Sequence, residues 1–291
     1  MQIKAKRNLI AIILVLSILC LAGCSDGNQP TSDGNQPTSG GNQPASDSNQ
    51  PANEIEEDDE GVITLKLAHF LPANHPIETD LVQPWAQAVK EATKGRVKIE
   101  SYPDETLATA DYTYESVTFG GAHAGISCFS YTRERFPVLE VFELPGMFYN
   151  SPEAASKIAW EGVQMLAPKE IWDTTLLMVF ATGPAEATDY TTMEPYYYNT
   201  LFFFAVNTEK WESISLEDRQ TILGISDRFF YDVACKLWDK EKVNELSDAE
   251  KELWAGPAKL AQDDYVSRMD KLGLPGQEIL DSVLELIEQY K

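Results

Sequence analysis

The 291-residue chain carries three histidines, His69, His75 and His123. Imidazole serves both metal binding and proton transfer near neutral pH, so these positions bear on whether the sequence can do either. Their spacing is not that of a zinc motif. His69 and His75 can meet on one loop, where polar loop residues are the plainer reading. A glycine-rich dinucleotide fingerprint, a P-loop, HExxH, CxxC and GxSxG are all missing, and the sequence offers no nucleophile–base pair. The chain is therefore not expected to be an enzyme, and no cofactor or metal is expected. Binding chemistry remains. His69 and Phe70 leave one apolar run, Phe129 and Tyr131 leave another, and Asn199 introduces a third. These five are the candidate ligand-binding residues, with packing of the interior as the competing role for the aromatics.

Strands must hold such residues in place. Val62 to Phe70 alternates, with Ile63, Leu65 and Leu67 on one face, and reads as a strand. Pro76 suits a first helical position, and Ile77, Leu81, Trp85, Ala88, Val89 and Ala92 keep helical spacing up to Gly95. Pro84, inside that stretch, predicts a kink or a division. A strand at Val97 to Tyr102, a helix around Ala110 to Phe119 and a strand at Ala122 to Cys128 follow. This alternation predicts parallel pairing in a doubly wound sheet, which binds ligands at the carboxyl ends of its strands.

The downstream half is more helical. Ser156 to Leu166 reads as a helix, Thr174 to Thr182 as a buried strand, and Leu201 to Asn207 as a strongly apolar strand entered through Tyr196-Tyr197-Tyr198-Asn199. Phe202 and Phe204 are expected in the core. Ser215-Leu216-Glu217-Asp218 resembles a capping pattern for a helix through Ile222, Ile225, Phe229, Val233 and Leu237, which could run past Lys240. Ser247-Asp248-Ala249-Glu250 is a capping box for another helix, and Gln277 to Tyr290 an amphipathic one.

The N-terminus has a different character. Lys4, Lys6 and Arg7 precede an apolar stretch from Leu9 to Leu21, thirteen residues where a bilayer span needs roughly 20. It reads as the core of a signal peptide, residues 1–23. Leu21-Ala22-Gly23-Cys24 resembles the lipobox of bacterial lipoproteins, which makes Cys24 the lipidated residue and acyl chains the membrane anchor. Residues 26–53 are four tandem heptads, DGNQPTS, DGNQPTS, GGNQPAS and DSNQPAN, with no apolar residue to bury. Residues 24–60 are therefore expected to be a disordered tether, with a root-mean-square reach of roughly 30–36 Å.

Charge narrows the partners. The chain has 23 basic and 46 acidic residues, a formal net charge of −23 at pH 7. Nucleic acid and anionic lipid are excluded as partners on that balance. An anionic ligand would be repelled by the bulk field, so its capture depends on a few local donors. With Cys20 lost in the signal and Cys24 acylated, Cys128 and Cys235 remain. An oxidising compartment permits a disulfide between them, and two buried free thiols are the favoured expectation.

TLKLAHFLPANHP, TKGRVKIESYPDETL and GGAHAGISCFSYTRERFPVLEVFELPGMF, in that order, resemble the N-terminal half of the solute-binding proteins of TRAP transporters, the C4-dicarboxylate-type family. DYTTMEPYYYNTLFFFAVNTEKWESI and GLPGQEILDSVLELIEQY resemble the family's C-terminal part, so the similarity covers Val62 to Lys291. The resemblance implies an α/β, two-lobed periplasmic-binding-protein-like fold over residues 61–291. It implies a protein on the periplasmic or extracellular face that closes on a small organic acid and delivers it to TRAP permease membrane subunits. On that reading His69, Phe70, Phe129, Tyr131 and Asn199 form one half of the binding site.

One departure stands out. In the family a long segment separates the strand corresponding to Thr174–Thr182 from the DYTTM-like stretch, and it carries the arginine that clamps the substrate carboxylate. Here Gly183-Pro184 runs directly into Ala185-Glu186. The second lobe is expected to be truncated and the clamp arginine absent. Arg96, Arg133, Arg135, Arg219, Arg228 and Arg268 all lie outside the clamp's context, with Arg133 and Arg135 as the candidate replacements. A buried carboxylate without a bidentate guanidinium loses hydration with little compensation. Weak dicarboxylate binding and self-association through uncovered apolar surface are therefore expected. A surface sensor or scaffold lipoprotein that binds a protein partner is the alternative.

Overall fold

The period of two in Ile63, Leu65 and Leu67 becomes strand β1, Ile63–His69. The computed structural model describes residues 61–132, 134–147, 149–182, 199–238 and 247–290. Cys24, the tether, Tyr196–Tyr198 and the Pro184–Ala185 junction lie outside the described residues. β1 pairs in parallel with β2 (Val97–Tyr102) on one side and β3 (Ala124–Cys128) on the other. Between β1 and β2 the chain makes a π-helical turn, Ile77–Val82, and then helix α1, Gln83–Ala92. The division falls where Pro84 predicts it, because a missing N–H is tolerated in a helix's first turn and not in its interior.

Helix α2 (Thr113–Thr118) leads into β3. Helix α3 (Pro152–Leu166) begins at Ser151, whose hydroxyl accepts the Ala154 N–H at 2.9 Å. Strands β4 (Thr174–Thr182) and β5 (Thr200–Asn207) complete a sheet of order β2-β1-β3-β5-β4. β5 runs antiparallel to both its neighbours. Parallel pairing therefore holds for the first three strands, and β4–β5 makes the sheet mixed. Among the described residues all five strands belong to this single sheet, the first lobe of the expected α/β architecture.

β5 is buried on both faces, which is why it reads as a continuous apolar run. Phe202, Phe204 and Val206 pack with Leu65, Leu67, Trp85 and Phe230. Leu201, Phe203 and Ala205 pack with Tyr114, Phe142 and Ile158 in a separate cluster. The expected core placement of Phe202 and Phe204 holds, and Phe203 joins them from the opposite face.

Helices α4 (Thr208–Ser213), α5 (Leu216–Asp232), α6 (Asp248–Lys271) and α7 (Gly276–Gln289) follow. Ser215 caps α5 as its sequence predicts, accepting the Asp218 N–H at 3.1 Å. Arg96 then grips Asp218 through two N–H donors at 2.6 and 3.0 Å, joining the edge of β2 to α5. The expected extension of α5 past Lys240 does not occur. Val233 leaves helical geometry at φ −128° and ψ −67°, and a 3₁₀ turn at Ala234–Lys236 follows. That break lets Trp238 stack on Phe180 and Phe202, with centroids at 6.2 and 6.1 Å. Burying an indole and a thiol there outweighs a further turn of helix. Cys128 and Cys235 are both buried and are not joined in a disulfide.

Candidate functional site

The carboxyl end of β3 opens onto a cavity of about 900 Å³. Roughly 300–1,000 Å³ is the range of small-molecule sites. One wall is the chain leaving β3, with Phe129 and Ser130 in a 3₁₀ turn and Phe136 beyond it. Phe129 is fixed there by edge-on packing against Phe136 at 4.8 Å and by Phe203 at 5.1 Å. A second wall is the turn Leu139–Glu143, continued by Leu144 and Pro145. Glu170 anchors its start by accepting the N–H groups of Val138 and Leu139 at 3.0 and 2.9 Å. The third wall is the end of α6, with Ala261, Asp264, Arg268 and Lys271. It is docked by Tyr265, whose hydroxyl donates to the Val138 carbonyl at 3.3 Å.

Charge is unevenly committed inside this cavity. Arg268 donates two bonds to Glu140, at 2.7 and 2.9 Å, and a third to Asp264 at 3.0 Å. Those bonds, Glu140's first, raise its already high pKa and occupy its fork. Lys271, also a lining residue, has no ion-pair partner among the described residues. Burial pushes Glu143 up to about 7, and Glu140 adds to the effect. The Leu201 N–H, donating at 2.6 Å, and the Ser130 hydroxyl pull it the other way. Near neutral pH the cavity thus holds an acid poised between its charged and neutral forms.

Arg135 does not supply a clamp. It donates to Asp173 and, at 2.8 Å, to the Glu170 carbonyl, and it lies over the rings of Tyr114 and Phe136 at 5.2 and 5.1 Å. Its role is to hold the cavity's supporting turn. Arg133, the other candidate, lies outside the described residues.

The five residues singled out by sequence divide into three groups. Phe129 lines the cavity. Phe70 and Tyr131 meet edge-on at 5.3 Å, and Phe70 also stacks on Phe202 at 5.9 Å, so the strand-end aromatics do gather. Tyr131 keeps 45% of its surface exposed. His69 and Asn199 are buried. His69 Nε2 lies 2.8 Å from Glu78 Oε2, which also accepts from Ser101 at 2.9 Å, while Gln83 donates to Glu78 Oε1 at 2.6 Å. Burial would raise the Glu78 pKa, but these bonds together lower it. Serine, histidine and acid occur together here without triad geometry. Ser101 and Glu78 both approach Nε2, and Nδ1 has no partner, whereas a triad needs one on each nitrogen. The Asn199 amide donates to the Phe142 carbonyl at 3.5 Å, beside the Glu143–Leu201 contact.

Among the described residues no group of three His, Cys, Asp or Glu side chains can hold a metal. His75 Nδ1 accepts the Ile77 N–H at 3.1 Å, and His123 Nδ1 lies 3.1 Å from the Lys66 N–H. Sequence reasoning missed Glu143, Arg268 and Lys271 as cavity residues. They converge only through packing of α6 on the turn Leu139–Glu143, for which no local spacing gives a signal.

Residues 67–170 match the profile of the family described as DctP, bacterial extracellular solute-binding protein, family 7. Solved structures match the folded body almost end to end. A TRAP solute-binding protein from Rhodoferax ferrireducens, crystallised with copurified benzoate, is 19% identical with a TM-score of 0.66, over 78% of this chain and 98% of that one. A marine metagenome TRAP solute-binding protein specific for aromatic acids, with 3-hydroxybenzoate, is 21% identical with a TM-score of 0.66, over 79% and 99%. A TRAP periplasmic solute-binding protein from Desulfovibrio salexigens, in an open complex, is 19% identical with a TM-score of 0.67, over 79% and 97%. The segment 67–170 is thus similar to the family 7 bacterial extracellular solute-binding proteins, and the fold of the chain is that of the TRAP solute-binding proteins.

Proposed function

We propose that this chain captures a small organic acid outside the cytoplasmic membrane and hands it to the membrane subunits of a TRAP-type permease, without enzymatic activity of its own. The observation that carries the reading is the cavity at the carboxyl end of β3, with Phe129 on one wall and the basic end of α6 on another. Benzoate and 3-hydroxybenzoate, held by two of the similar proteins, are acids that such a cavity accommodates. In this reading Phe129 provides aromatic surface inside the cavity, Phe70 and Tyr131 form an aromatic pair at the strand ends outside its lining, and His69 and Asn199 hold the strand ends themselves. Mass spectrometry of small molecules released from natively purified protein, followed by calorimetric titration with a panel of organic acids, is the test. An organic acid recovered and rebound one-to-one is expected; no binding to any acid of the panel would sink the reading.

The N-terminus completes the proposal. Cys24 is the acylated residue and residues 24–60 the tether, so acyl chains hold the body at the periplasmic or extracellular face. Cys24→Ser should release the protein from membranes, and pelleting of the variant after a salt wash would refute the anchor. A second reading is a scaffold lipoprotein that binds a protein partner. It is favoured by Leu253 and Leu260, 77% and 71% exposed on α6.

A further inference from the structure

We infer that the cavity selects acids with a single carboxylate and an apolar body, using Lys271 as counter-ion and Glu143 as the residue that turns away a second carboxylate. This rests on the capture reading above and names its substrate class. Charge commitment is the first ground. Two carboxylates need two cations, and of the two that line this cavity among the described residues Arg268 already serves Glu140 and Asp264. Among the described residues Lys271 alone remains, exposed at the end of α6.

Placement is the second ground. Glu143 is mostly buried in the wall, tied to the Leu201 N–H and to Ser130, so it cannot swing away from an incoming anion. Phe129, Phe136, Leu139 and Leu144 line the same cavity with surface that suits an apolar ring, while of the lining hydroxyls Ser130 already serves Glu143 and Thr132 the Asp111 carbonyl. A dicarboxylate with one end on Lys271 leaves its other end to the remaining lining of the cavity, which is apolar side chains and the acids Glu134, Glu140, Glu143 and Asp264. The like-charge contact and the lost hydration both oppose it.

The same group gives the selectivity a pH dependence. Glu143 reaches about 7 through burial, so it is largely neutral below that pH and charged above it. Cys128 and Tyr149, which face it electrostatically, are raised by burial and stay neutral across the range. Glu140 adds like-charge repulsion toward it, and Glu134, Asp264, Arg268 and Lys271 share the cavity.

Calorimetric titration of the full chain with 4-methylbenzoate and terephthalate compares two acids of one ring that differ in a second carboxylate. At about pH 8 the monoacid should bind roughly tenfold tighter or more, a difference of about 1.4 kcal/mol. Lys271→Gln should weaken the monoacid by roughly fivefold. Glu143→Gln should narrow the ratio to about threefold or less, and the unmodified chain should show the same narrowing at about pH 6. That last measurement needs no variant to fold. Terephthalate binding equal to or tighter than the monoacid would overturn the inference and leave acid capture standing. Binding of neither acid would overturn both. A ratio unchanged between the two pH values would remove Glu143 from the account.

Discussion

The carboxyl group of Glu143 accepts the backbone N–H of Leu201 at 2.6 Å, tying the cavity wall to the start of β5. A buried titratable group at this junction couples stability to pH. The folded value of about 7 lies above the ordinary 4.5. Below about pH 4.5 both states carry the proton, and the shift has no effect on stability. From there to about 7 the folded protein keeps a proton that the unfolded chain releases, so stability falls as pH rises. Above about 7 the penalty is complete. Glu143→Gln should therefore stabilise the protein at about pH 8, by at most about 3.5 kcal/mol at 1.4 kcal/mol per unit, and have little effect at about pH 4. Urea unfolding of both proteins at the two pH values measures it. A difference that does not change with pH would assign the effect to another cause.

The His69–Glu78 pair carries the opposite sign. Hydrogen bonds from His69, Gln83 and Ser101 hold Glu78 below its ordinary value against the effect of burial. This contribution is present above the unfolded pKa and is lost as pH falls through the folded one. His69→Ala leaves a buried carboxylate short of its main partner and should cost about 2–4 kcal/mol in chemical unfolding. Ser101→Ala removes one neutral donor and should cost about 1 kcal/mol. Hydrolysis of activated esters by the unmodified chain, abolished by Ser101→Ala, would overturn this structural role.

The strands were legible because their periods are local. Ile63, Leu65 and Leu67 alternate, and Leu201–Val206 is apolar throughout, which fits burial on both faces of a sheet. Pro84 marked its own helix boundary. The antiparallel insertion of β5 between β3 and β4 was not legible, since strand order depends on contacts between distant segments. The end of α5 was missed for a related reason. Val233 and Leu237 keep helical spacing, but Trp238 gains more by stacking on Phe180 and Phe202. In the candidate site, Phe129 was readable from its position after β3, whereas Arg268 lies 128 residues from the Glu140 that fixes it.

Thiol accessibility offers an independent check of the core. Cys128 and Cys235 are buried in the cluster that contains Phe180 and Phe204, and burial raises the Cys128 pKa far above its ordinary value. Thiolate is the reactive form, so both should resist a disulfide-exchange reagent in the folded protein. The reactive thiol count should rise by two on unfolding in denaturant without reductant. Rapid modification of either in the folded state would contradict the packing of β3 or of the turn after α5.

The two ends of α6 behave differently, and this bears on association. Tyr265 and Met269, in its second half, are fully buried. Leu253, Trp254 and Leu260, nearer its start, are 77%, 53% and 71% exposed. Leu253 and Leu260 stand two helical turns apart, on one face. Apolar residues repeated on one exposed helix face favour contact with a second apolar surface over contact with water. The unmodified chain should therefore self-associate at micromolar concentrations, seen as a sedimentation coefficient that rises with loading. Leu253→Glu with Leu260→Glu should abolish that rise. Neither side chain is buried, so folding stability should shift by no more than about 0.5 kcal/mol per site. A monomer at every concentration would leave this face without a role in association. Loss of folding in the double variant would instead mean that this face of α6 is covered within the chain itself.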